Sequence, residues 1–525
     1  MQLPRHLKIG AGSGGAMIFG ALFGWAIFPA LLKSGLKKEM ALTAKTDVRA
    51  MWTKIPFALD FKIYLFNYTN PDEIQKGGIP IVKEIGPYYF EEWKEKVEME
   101  DHDEDDTITY KRLDKFYFKK DKSGPGLTGD EIITMPNIFI LAMATIVSRE
   151  KPAMLNMMGK AFNGIFDSPQ NIFMNVRALD VLFDGFLINC DRTEFAPKAV
   201  CTAVKKEAPS GLVIGPNNQF RFSIFGGRNS SVDPHVVTVK RGSKNVMEVG
   251  RVVAFDGESE QKIWKDHCNK IEGTDGTIFP PFLTEKDPLE SYSPDLCRSF
   301  KPKFQKKSAY MGIKTNRYVA RIGDLNTDPE LQCFCEEPAK CPLPGLMELT
   351  KCVKAPMYAS MPHFLDSDPS LLKSCKGLNP DGNAHGIEID FEPISGTPLV
   401  ARQRIQFNML LLKTEKLELF KDLPDTYAPL FWIEEGLALD RDFIKMLKNQ
   451  LFLPKKIVGV IKWLLVSFGA MGVLGSALYH FKDNLLRFAV SPESAKVTKV
   501  NPEEEQKEVS VIGQSVPLEP TKINM

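Results

Sequence analysis

The chain has 525 residues, of which 43% are hydrophobic, and its 67 Lys and Arg nearly balance its 66 Asp and Glu. This composition is typical of a folded protein and excludes disordered and collagen-like chains. A formal net charge of +1 gives no electrostatic reason to expect nucleic acid as a partner. At about 150 residues per domain, the length allows three or four domains, or fewer if they are large β domains.

An uncharged hydrophobic run, residues 9–32, lies between Lys8 and Lys33. As a helix that rises about 1.5 Å per residue, it would be about 36 Å long and could cross a bilayer. The alternative is a cleaved signal peptide. We favour a retained anchor, because a signal peptide has a shorter apolar stretch and a small-residue cleavage site, which does not follow this run.

A second hydrophobic run, residues 457–481, predicts a second membrane helix. Lys462 lies near one end, where its side chain can reach the interface, and Trp463 and Tyr479 lie at typical interfacial positions. Two membrane helices place both termini on one side of the membrane. The predicted organisation is a cytoplasmic N-terminus at 1–8, helices at 9–32 and 457–481, a large domain at 33–456 and a cytoplasmic tail at 482–525.

Small residues recur in both predicted membrane helices. Gly10, Gly12 and Gly15 match the glycine pattern of dinucleotide-binding loops, but that pattern requires a preceding strand within a βαβ unit. In membrane helices, small residues instead permit close helix packing, and we expect these faces to support association with a partner in the membrane. The small faces comprise Gly10 and Gly14, Gly20 and Gly24, and Gly472 and Gly475.

All 9 cysteines lie within residues 33–456. Their spacing fits no standard zinc site, and we favour disulfide bonds, with a zinc site as the alternative. Disulfides require an oxidising compartment, and Asn67 and Asn229 begin glycosylation sequons in the same region. We therefore expect residues 33–456 to be extracellular or lumenal. Because the number of cysteines is odd, at least one is free or pairs with another chain.

Alternating polar and apolar residues dominate the large domain and predict a mainly antiparallel β fold. Helical spacing of apolar residues predicts helices within 136–184, divided by prolines, and again at about 435–451. The residues expected to face inward from three strands are Phe220, Phe222 and Ile224, then Ile387, Ile389 and Phe391, and finally Ile405, Phe407, Met409 and Leu411.

The sequence lacks the motifs of zinc proteases, α/β-hydrolases, P-loop enzymes and calcium-binding loops. We therefore predict no enzyme activity, no catalytic residue, no metal site and no cofactor. His363 and His385 are interpreted as structural. The acidic segment 91–106 is interpreted as a solvated hairpin tip, with a site for a cation or a cationic partner as the alternative.

Several segments carry a resemblance to a known family. They are YLFNYTNPDEI at 64–74, and further stretches at 79–93, 273–283, 295–300, 333–341, 360–369, 377–381 and 389–399. From the first hydrophobic run to the second, the chain resembles the class B scavenger receptors, the family of the fatty-acid translocase and the lysosomal integral membrane protein. Its ends, cysteine pattern and tail are most similar to those of the insect sensory neuron membrane proteins of moth pheromone-sensing neurons.

The resemblance implies an α+β membrane protein with two transmembrane helices flanking a large disulfide-bonded ectodomain. That ectodomain would have an antiparallel β-barrel core, an apical helical bundle at 136–184 and a hydrophobic tunnel leading towards the bilayer. The disulfides of the family carry over as Cys268–Cys333, Cys297–Cys352 and Cys335–Cys341. The family pattern covers only these six cysteines, so the state of Cys190, Cys201 and Cys375 stays open.

Ligand access is expected at the apical helices. Relatives that take up fatty acids carry a lysine there, whereas the corresponding stretch of this chain, residues 163–173, has no basic residue. A carboxylate ligand would lose its partner, so neutral aldehydes, acetates or alcohols fit better. The residues expected at the access site are Arg149, Lys151, Met154, Met157, Met158 and Lys160.

The resemblance implies a receptor in the plasma membrane of olfactory neurons. It would capture lipid-derived pheromones and pass them through the tunnel to an odorant receptor and its co-receptor, with a pheromone-binding protein as a further partner. Two alternatives stay open: a general scavenger receptor for lipids or lipoproteins, and a lysosomal trafficking receptor for a protein partner. The leucines within residues 483–488 lie too close to the second helix for a lysosomal address, which favours the plasma membrane.

Overall fold

The computed structural model describes residues 4–207, 209, 211–337 and 340–489. Most of the predicted tail, residues 490–525, lies outside these described residues. Contacts divide the described chain into two compact units. We call residues 4–24 and 459–489 the helical unit, and residues 25–458 the large domain.

Two long helices carry the hydrophobic runs. The described helices are α1 Arg5–Leu22, α2 Phe28–Glu39, α3 Asp47–Thr53, α4 Pro71–Ile74, α5 Ile138–Glu150, α6 Leu155–Ile165, α7 Phe195–Glu207, α8 Thr350–Val353, α9 Pro369–Ser374, α10 Gly382–His385, α11 Arg441–Leu447 and α12 Leu453–Ala489. Short π-helical turns join α1 to α2 and α11 to α12. The helices Arg5–Glu39 and Arg441–Lys482 are long and apolar enough to cross a membrane. Their apolar side chains are largely exposed, Ile18 to 57% and Phe468 to 63%, as lipid contact requires.

Small residues hold the two helices of the helical unit close together. A Cβ atom on Gly472 would lie 2.1 Å from Ser13 Oγ, and one on Gly20 would lie 2.6 Å from Leu465 Cβ. Each glycine thus provides room for a side chain of the other helix. The small faces that we expected to bind another protein are therefore used, at these positions, to pack one helix of this chain against the other.

An antiparallel sheet of 12 strands forms the core of the large domain, with the order β10-β9-β3-β2-β1-β19-β18-β17-β14-β13, and β16 pairs with β18 and β15. The predicted antiparallel β core is confirmed. Among the described residues, no strand pairing joins the two end strands of this sheet, β10 and β13. The strands are β1 Leu59–Tyr68, β2 Val82–His102, β3 Thr107–Phe118, β4 Ile132–Pro136, β5 Phe173–Arg177, β6 Phe186–Asn189, β7 Leu212–Ile214, β8 Gln219–Phe222, β9 Val237–Lys240, β10 Val252–Phe255, β11 Ser291–Ser293, β12 Arg298–Phe300, β13 Lys303–Tyr310, β14 Ile313–Ala320, β15 Met347–Glu348, β16 Met357–Ser360, β17 Ile387–Glu392, β18 Thr397–Leu411 and β19 Thr426–Ala438.

One face of this sheet, which we call the inward face, points into the large domain. It carries Phe61 of β1, Phe90 of β2, Phe116 of β3, and Phe407 and Phe431 of β18 and β19, which belong to or pack against one apolar core. Period-2 alternation brings these rings together, because alternate residues of a strand point to the same face.

The opposite face of β18 is also buried, which the alternation alone does not indicate. Gln406 and Asn408 are fully buried. Gln406 accepts a hydrogen bond from the His363 backbone N–H at 2.7 Å. The segment 357–386 thus covers this face. Gly377 permits its close approach, since its φ is +91° and a Cβ atom there would lie 1.9 Å from the Val82 carbonyl oxygen.

The helical cap consists of α5, α6 and α7. The helix α5 begins where the Asn137 side chain accepts hydrogen bonds from the backbone N–H groups of Phe139 and Ile140, at 3.1 and 3.2 Å. Residues 136–184 are helical only in part, because β5 lies within them and pairs with β4. The helix α7 lies beyond the range expected to be helical. Similarly, β19 continues to Ala438, so the second helical stretch begins at Arg441 rather than near 435.

Four disulfides brace the large domain. Three have the pairing that the family resemblance implies, namely Cys268–Cys333, Cys297–Cys352 and Cys335–Cys341. The fourth joins Cys190, which follows β6, to Cys201 of α7. Cys375 is unpaired and buried, and burial raises the pKa of its thiol to about 12. The thiol is therefore a poor nucleophile.

Candidate functional site

A groove of about 650 Å³ opens on the surface of the cap between α6 and α7. The helix α6 turns Phe162 into the core and leaves Met157, Lys160 and other residues on the groove side. The helix α7 packs closely because Gly164 has no side chain, and a Cβ atom there would lie 2.3 Å from Pro197 Cγ. The lining of the groove includes Asn156, Met157, Lys160, Asn163, Phe195 and Pro197.

An exposed aromatic ring marks the rim of this groove. Phe195, the first residue of α7, is 79% exposed, the largest exposed fraction among the large hydrophobic side chains described. Glu194 and Lys160, which bear opposite charges, also line the groove. The apolar part of the lining, namely Met157, Phe195, Ala196 and Pro197, is suited to contact with a long apolar chain.

Two of the six residues expected at the access site, Met157 and Lys160, lie in the groove. Met158 faces the core and is only 2% exposed. Lys151 and Met154 are exposed at the turn between α5 and α6 and do not line the groove. The structure therefore does not bring the six residues together.

The sixth expected residue, Arg149, is engaged elsewhere. Its guanidinium pairs with Glu348 at 2.5 Å and donates to the Tyr358 hydroxyl at 2.9 Å. Burial disfavours the charged guanidinium, but the Glu348 carboxylate outweighs this effect and raises the pKa of Arg149. Arg149 thus holds the end of α5 against the region of β15 and β16.

A phenylalanine cluster lies on the inward face beneath the cap. Rings meet in series: Phe61 and Phe116 at 4.9 Å between centroids, Phe61 and Phe225 at 5.4 Å, and Phe407 and Phe431 at 5.0 Å. The same apolar core contains Phe162 and other buried residues of α6 and α7, so apolar packing is continuous from the helices of the groove to the sheet. The phenylalanine cluster comprises Phe61, Phe90, Phe116, Phe183, Phe225, Phe407 and Phe431.

Beyond this cluster, the inward face of β2 and β3 becomes charged. On β2, Phe90 is followed on the same face by Glu92 and Lys94. On β3, Phe116 lies opposite Glu92, and Asp114 lies opposite Lys94. With Arg112 of β3 and two residues from neighbouring loops, they form what we call the charged wall. It comprises Glu92, Lys94, Arg112, Asp114, Arg228 and Asp295.

Asp295 is the hub of the charged wall. Its carboxylate lies 3.3 Å from the Arg112 guanidinium and 3.2 Å from that of Arg228. Burial opposes ionisation of Asp295, but the two guanidinium groups outweigh burial and hold its pKa well below its usual range. Burial also raises the pKa of Glu92 to about 8, although the positive charge of Lys94 lowers this pKa. Glu92 is therefore mostly neutral at pH 7.

Two groups of side chains resemble metal sites but do not provide one. His267 lies near Cys268 and Cys333, whose sulfur atoms are joined in a disulfide and cannot bind as thiolates. In the second group, Glu84 approaches His363 and His385. The Nδ1 atoms of both histidines accept backbone N–H groups, so these lone pairs are already used, and His363 Nε2 lies 2.6 Å from the Glu84 carboxylate.

Each of the two sequon asparagines accepts a hydrogen bond from a backbone N–H group. Asn67 is on β1 and accepts a hydrogen bond from the Thr134 N–H at 2.8 Å. Asn229 follows Arg228 and accepts from the Phe116 N–H at 2.9 Å. Both contacts use the side-chain oxygen, whereas a glycan is attached to the nitrogen. Both asparagine residues remain partly exposed.

The strand β2 extends to His102, so only the end of the acidic segment forms a hairpin tip, and this tip is exposed and partly paired with arginine side chains. Asp101 lies 2.7 Å from Arg49 and 3.2 Å from Arg241. Arg241 also reaches Asp103 at 2.7 Å. These contacts pair part of the acidic tip, while Glu104 and Asp105 are exposed.

Comparisons with known proteins identify the family. The model of the CD36 family matches residues 12–480. The chain belongs to the CD36 family. Sensory neuron membrane protein 1 of Plutella xylostella is 70% identical over 100% of both chains. The proteins of the same name from Ostrinia furnacalis and Manduca sexta are 68% and 66% identical, again over 100% of both chains. With its two candidate membrane helices, this CD36-family chain is a membrane protein, and these findings support a receptor of the scavenger family.

Proposed function

We propose that this chain is a receptor of olfactory neurons that captures hydrophobic, lipid-derived pheromones. It passes them through the ectodomain to an odorant receptor and its co-receptor in the plasma membrane, and it accepts them from a pheromone-binding protein. The single observation that carries this proposal is the groove between α6 and α7, with the exposed Phe195 at its rim and an apolar core continuous with its helices. The names of the moth relatives point to sensory neurons.

The same proposal includes the topology. Residues 33–456 are extracellular, residues 9–32 and 457–481 span the membrane, and residues 1–8 and 482–525 are cytoplasmic. The four disulfides support an oxidising compartment for the large domain. The partly exposed Asn67 and Asn229 support glycosylation on the same side.

Apolar burial supplies the affinity. Removing a methylene group from water contributes about 0.8 kcal/mol, so a long chain binds an apolar conduit well without ionic contacts. A conduit must also release its ligand, which requires few strong polar anchors. The groove meets this condition, since Lys160 and Glu194 are its only fully charged lining residues in the described structure.

Filling the groove tests capture. We expect Met157→Trp in the full-length chain to slow the association of hexadecyl acetate at least about tenfold, because an indole ring occupies the space between α6 and α7. The measurement is stopped-flow fluorescence with protein in detergent micelles. Lys198→Trp adds the same ring to an exposed position of α7 outside the groove and serves as the matched control. Equal association rates for both variants would contradict capture at the groove.

A further inference from the structure

The charged wall lies beside the apolar core of the large domain, since Glu92 lies opposite Phe116, and yet four of its six side chains are partly accessible. Glu92 and Asp114 are only 2% and 7% exposed, whereas 48% of the Asp295 side chain is exposed. For Arg228, the exposed fraction is 35%. A side chain that is both deep and accessible borders an internal cavity. The side chains of Lys94 and Arg112 are also partly accessible, with exposed fractions of 24% and 23%.

The neighbouring strands β1, β19 and β18 carry apolar side chains on the same inward face. Ile433 of β19 lies opposite both Ile63 of β1 and Ile405 of β18. Ile405 and Ile433 are each only partly buried, although they point into the domain, so they border interior space as well. The inward face is therefore charged around Lys94 and Glu435 and apolar around Ile405 and Ile433.

The charged wall carries nearly balanced charge but many hydrogen-bond donors. Its three cations, Lys94, Arg112 and Arg228, are matched by four carboxylates. These are Asp114, Asp295, the neighbouring Asp233, which lies 2.6 Å from Arg112, and Glu435, which accepts from Lys94 at 2.8 Å. Ammonium and guanidinium groups have three and five N–H donors and no acceptor. An anionic head group would approach these carboxylates as closely as the cations. A neutral carbonyl or hydroxyl oxygen would accept a hydrogen bond without that repulsion.

We propose that the charged wall is a head-group site for neutral, oxygen-bearing lipids such as long-chain acetates, aldehydes and alcohols. The guanidinium of Arg228 and the ammonium of Lys94 donate hydrogen bonds to the ligand oxygen. The alkyl chain lies along Ile405 and Ile433 towards the phenylalanine cluster. This site rests on the proposed function, because it requires that the ligand passes through the ectodomain. It would make that passage selective for the head group rather than for the chain length.

The test compares ligands that share a chain and differ in the head group. Hexadecyl acetate, hexadecanol, hexadecanoate and hexadecane displace a fluorescent lipid from the full-length chain in one kind of detergent micelle. Partition into micelles is then the same for every protein variant. We expect the acetate and the alcohol to bind at least about tenfold more tightly than hexadecane after correction for partition, and more tightly than hexadecanoate.

Arg228→Gln should reduce the preference for acetate over hexadecane by about fivefold or more, while the affinity for hexadecane stays close to that of the parent. Lys94→Met is a second variant, in case loss of Arg228 prevents folding. Arg317→Gln is the matched control, since Arg317 pairs with Asp390 and Glu388, at 2.6 and 2.7 Å, away from the charged wall. An unchanged preference in both wall variants would overturn the proposal, as would tighter binding of hexadecanoate than of acetate.

The outcomes separate this site from the proposed function. If all four ligands bind equally, the head-group site is refuted while capture of apolar chains still stands. If none of them displaces the lipid probe, the proposed function itself fails. If Arg317→Gln lowers the preference as much as Arg228→Gln, the effect is a general loss of structure and the head-group site is refuted.

Discussion

At the scale of residues, the histidines that the sequence analysis interpreted as structural hold a segment onto the sheet. His363 and His385 stack with 4.3 Å between ring centroids, and the Glu84 carboxylate lies 2.6 Å from His363 Nε2. Glu84 also accepts from Trp432 Nε1 at 2.6 Å. The scattered, single positions of the histidines in the sequence favoured a structural role, but they did not give the partners, because these come from distant parts of the chain.

His385 makes the stability of the large domain dependent on pH. Burial lowers its pKa from 6.5 to about 4, and the neighbouring His363 acts in the same direction. In the unfolded chain, His385 takes up a proton as the pH falls through 6.5, whereas the folded chain resists until about pH 4. The stability that it contributes is thus complete above pH 6.5 and is lost as the pH falls towards 4.

We expect His385→Asn to flatten the decline of the thermal midpoint across this interval. The free energy of unfolding contributed by the titration is about 2 kcal/mol. Asparagine retains an acceptor for the Asp381 N–H but does not titrate. Differential scanning fluorimetry of parent and variant at several pH values measures the difference. Parallel pH curves for the two proteins would show that His385 is not the group responsible.

At the scale of elements, periodicity predicted the antiparallel strands and the helices α5 and α6. It did not predict α7, which begins with Phe195 and carries Pro197 in its first turn. A proline in the first turn is a known signal for the start of a helix. Pro197 was therefore the sequence signal that could have predicted α7 and its side of the groove. The charged wall was not predicted either. Alternation places Glu92 and Lys94 on the same face as Phe90, but it does not show that this face stays inside the domain where charged residues replace apolar ones.

The helical unit gives a prediction for a pair of elements. Gly472→Leu should separate α1 from α12 by roughly 2 Å, because Ser13 occupies the space in front of Gly472. Gly475→Leu is the matched control, since nothing lies within 4 Å of its Cβ position. Spin labels at Phe19 and Phe468 in nanodiscs report the distance between the helices. A longer distance in the control alone would reverse the assignment of the packing face.

At the scale of the whole molecule, the family resemblance predicted three of the four disulfides, and the two hydrophobic runs predicted the two candidate membrane helices. The pairing of Cys190 with Cys201 could not be predicted, because these cysteines lie outside the six that the family shares. Nor could the sequence place Arg149 and Met158 away from the groove. Arg149 lies on α5 and Met158 on α6. The direction of the Arg149 side chain depends on its contacts with β15 and β16, and that of Met158 on packing in the core.

The most direct test of the account is the pheromone-evoked current in cells that express a cognate odorant receptor and its co-receptor, with and without this chain. The account predicts faster onset and offset, or greater sensitivity, when the chain is present, and loss of the gain with Met157→Trp but not with Lys198→Trp. A gain that survives Met157→Trp would indicate a scaffold rather than a conduit. Identical currents with and without the chain would contradict delivery and would favour a general scavenger receptor for lipids.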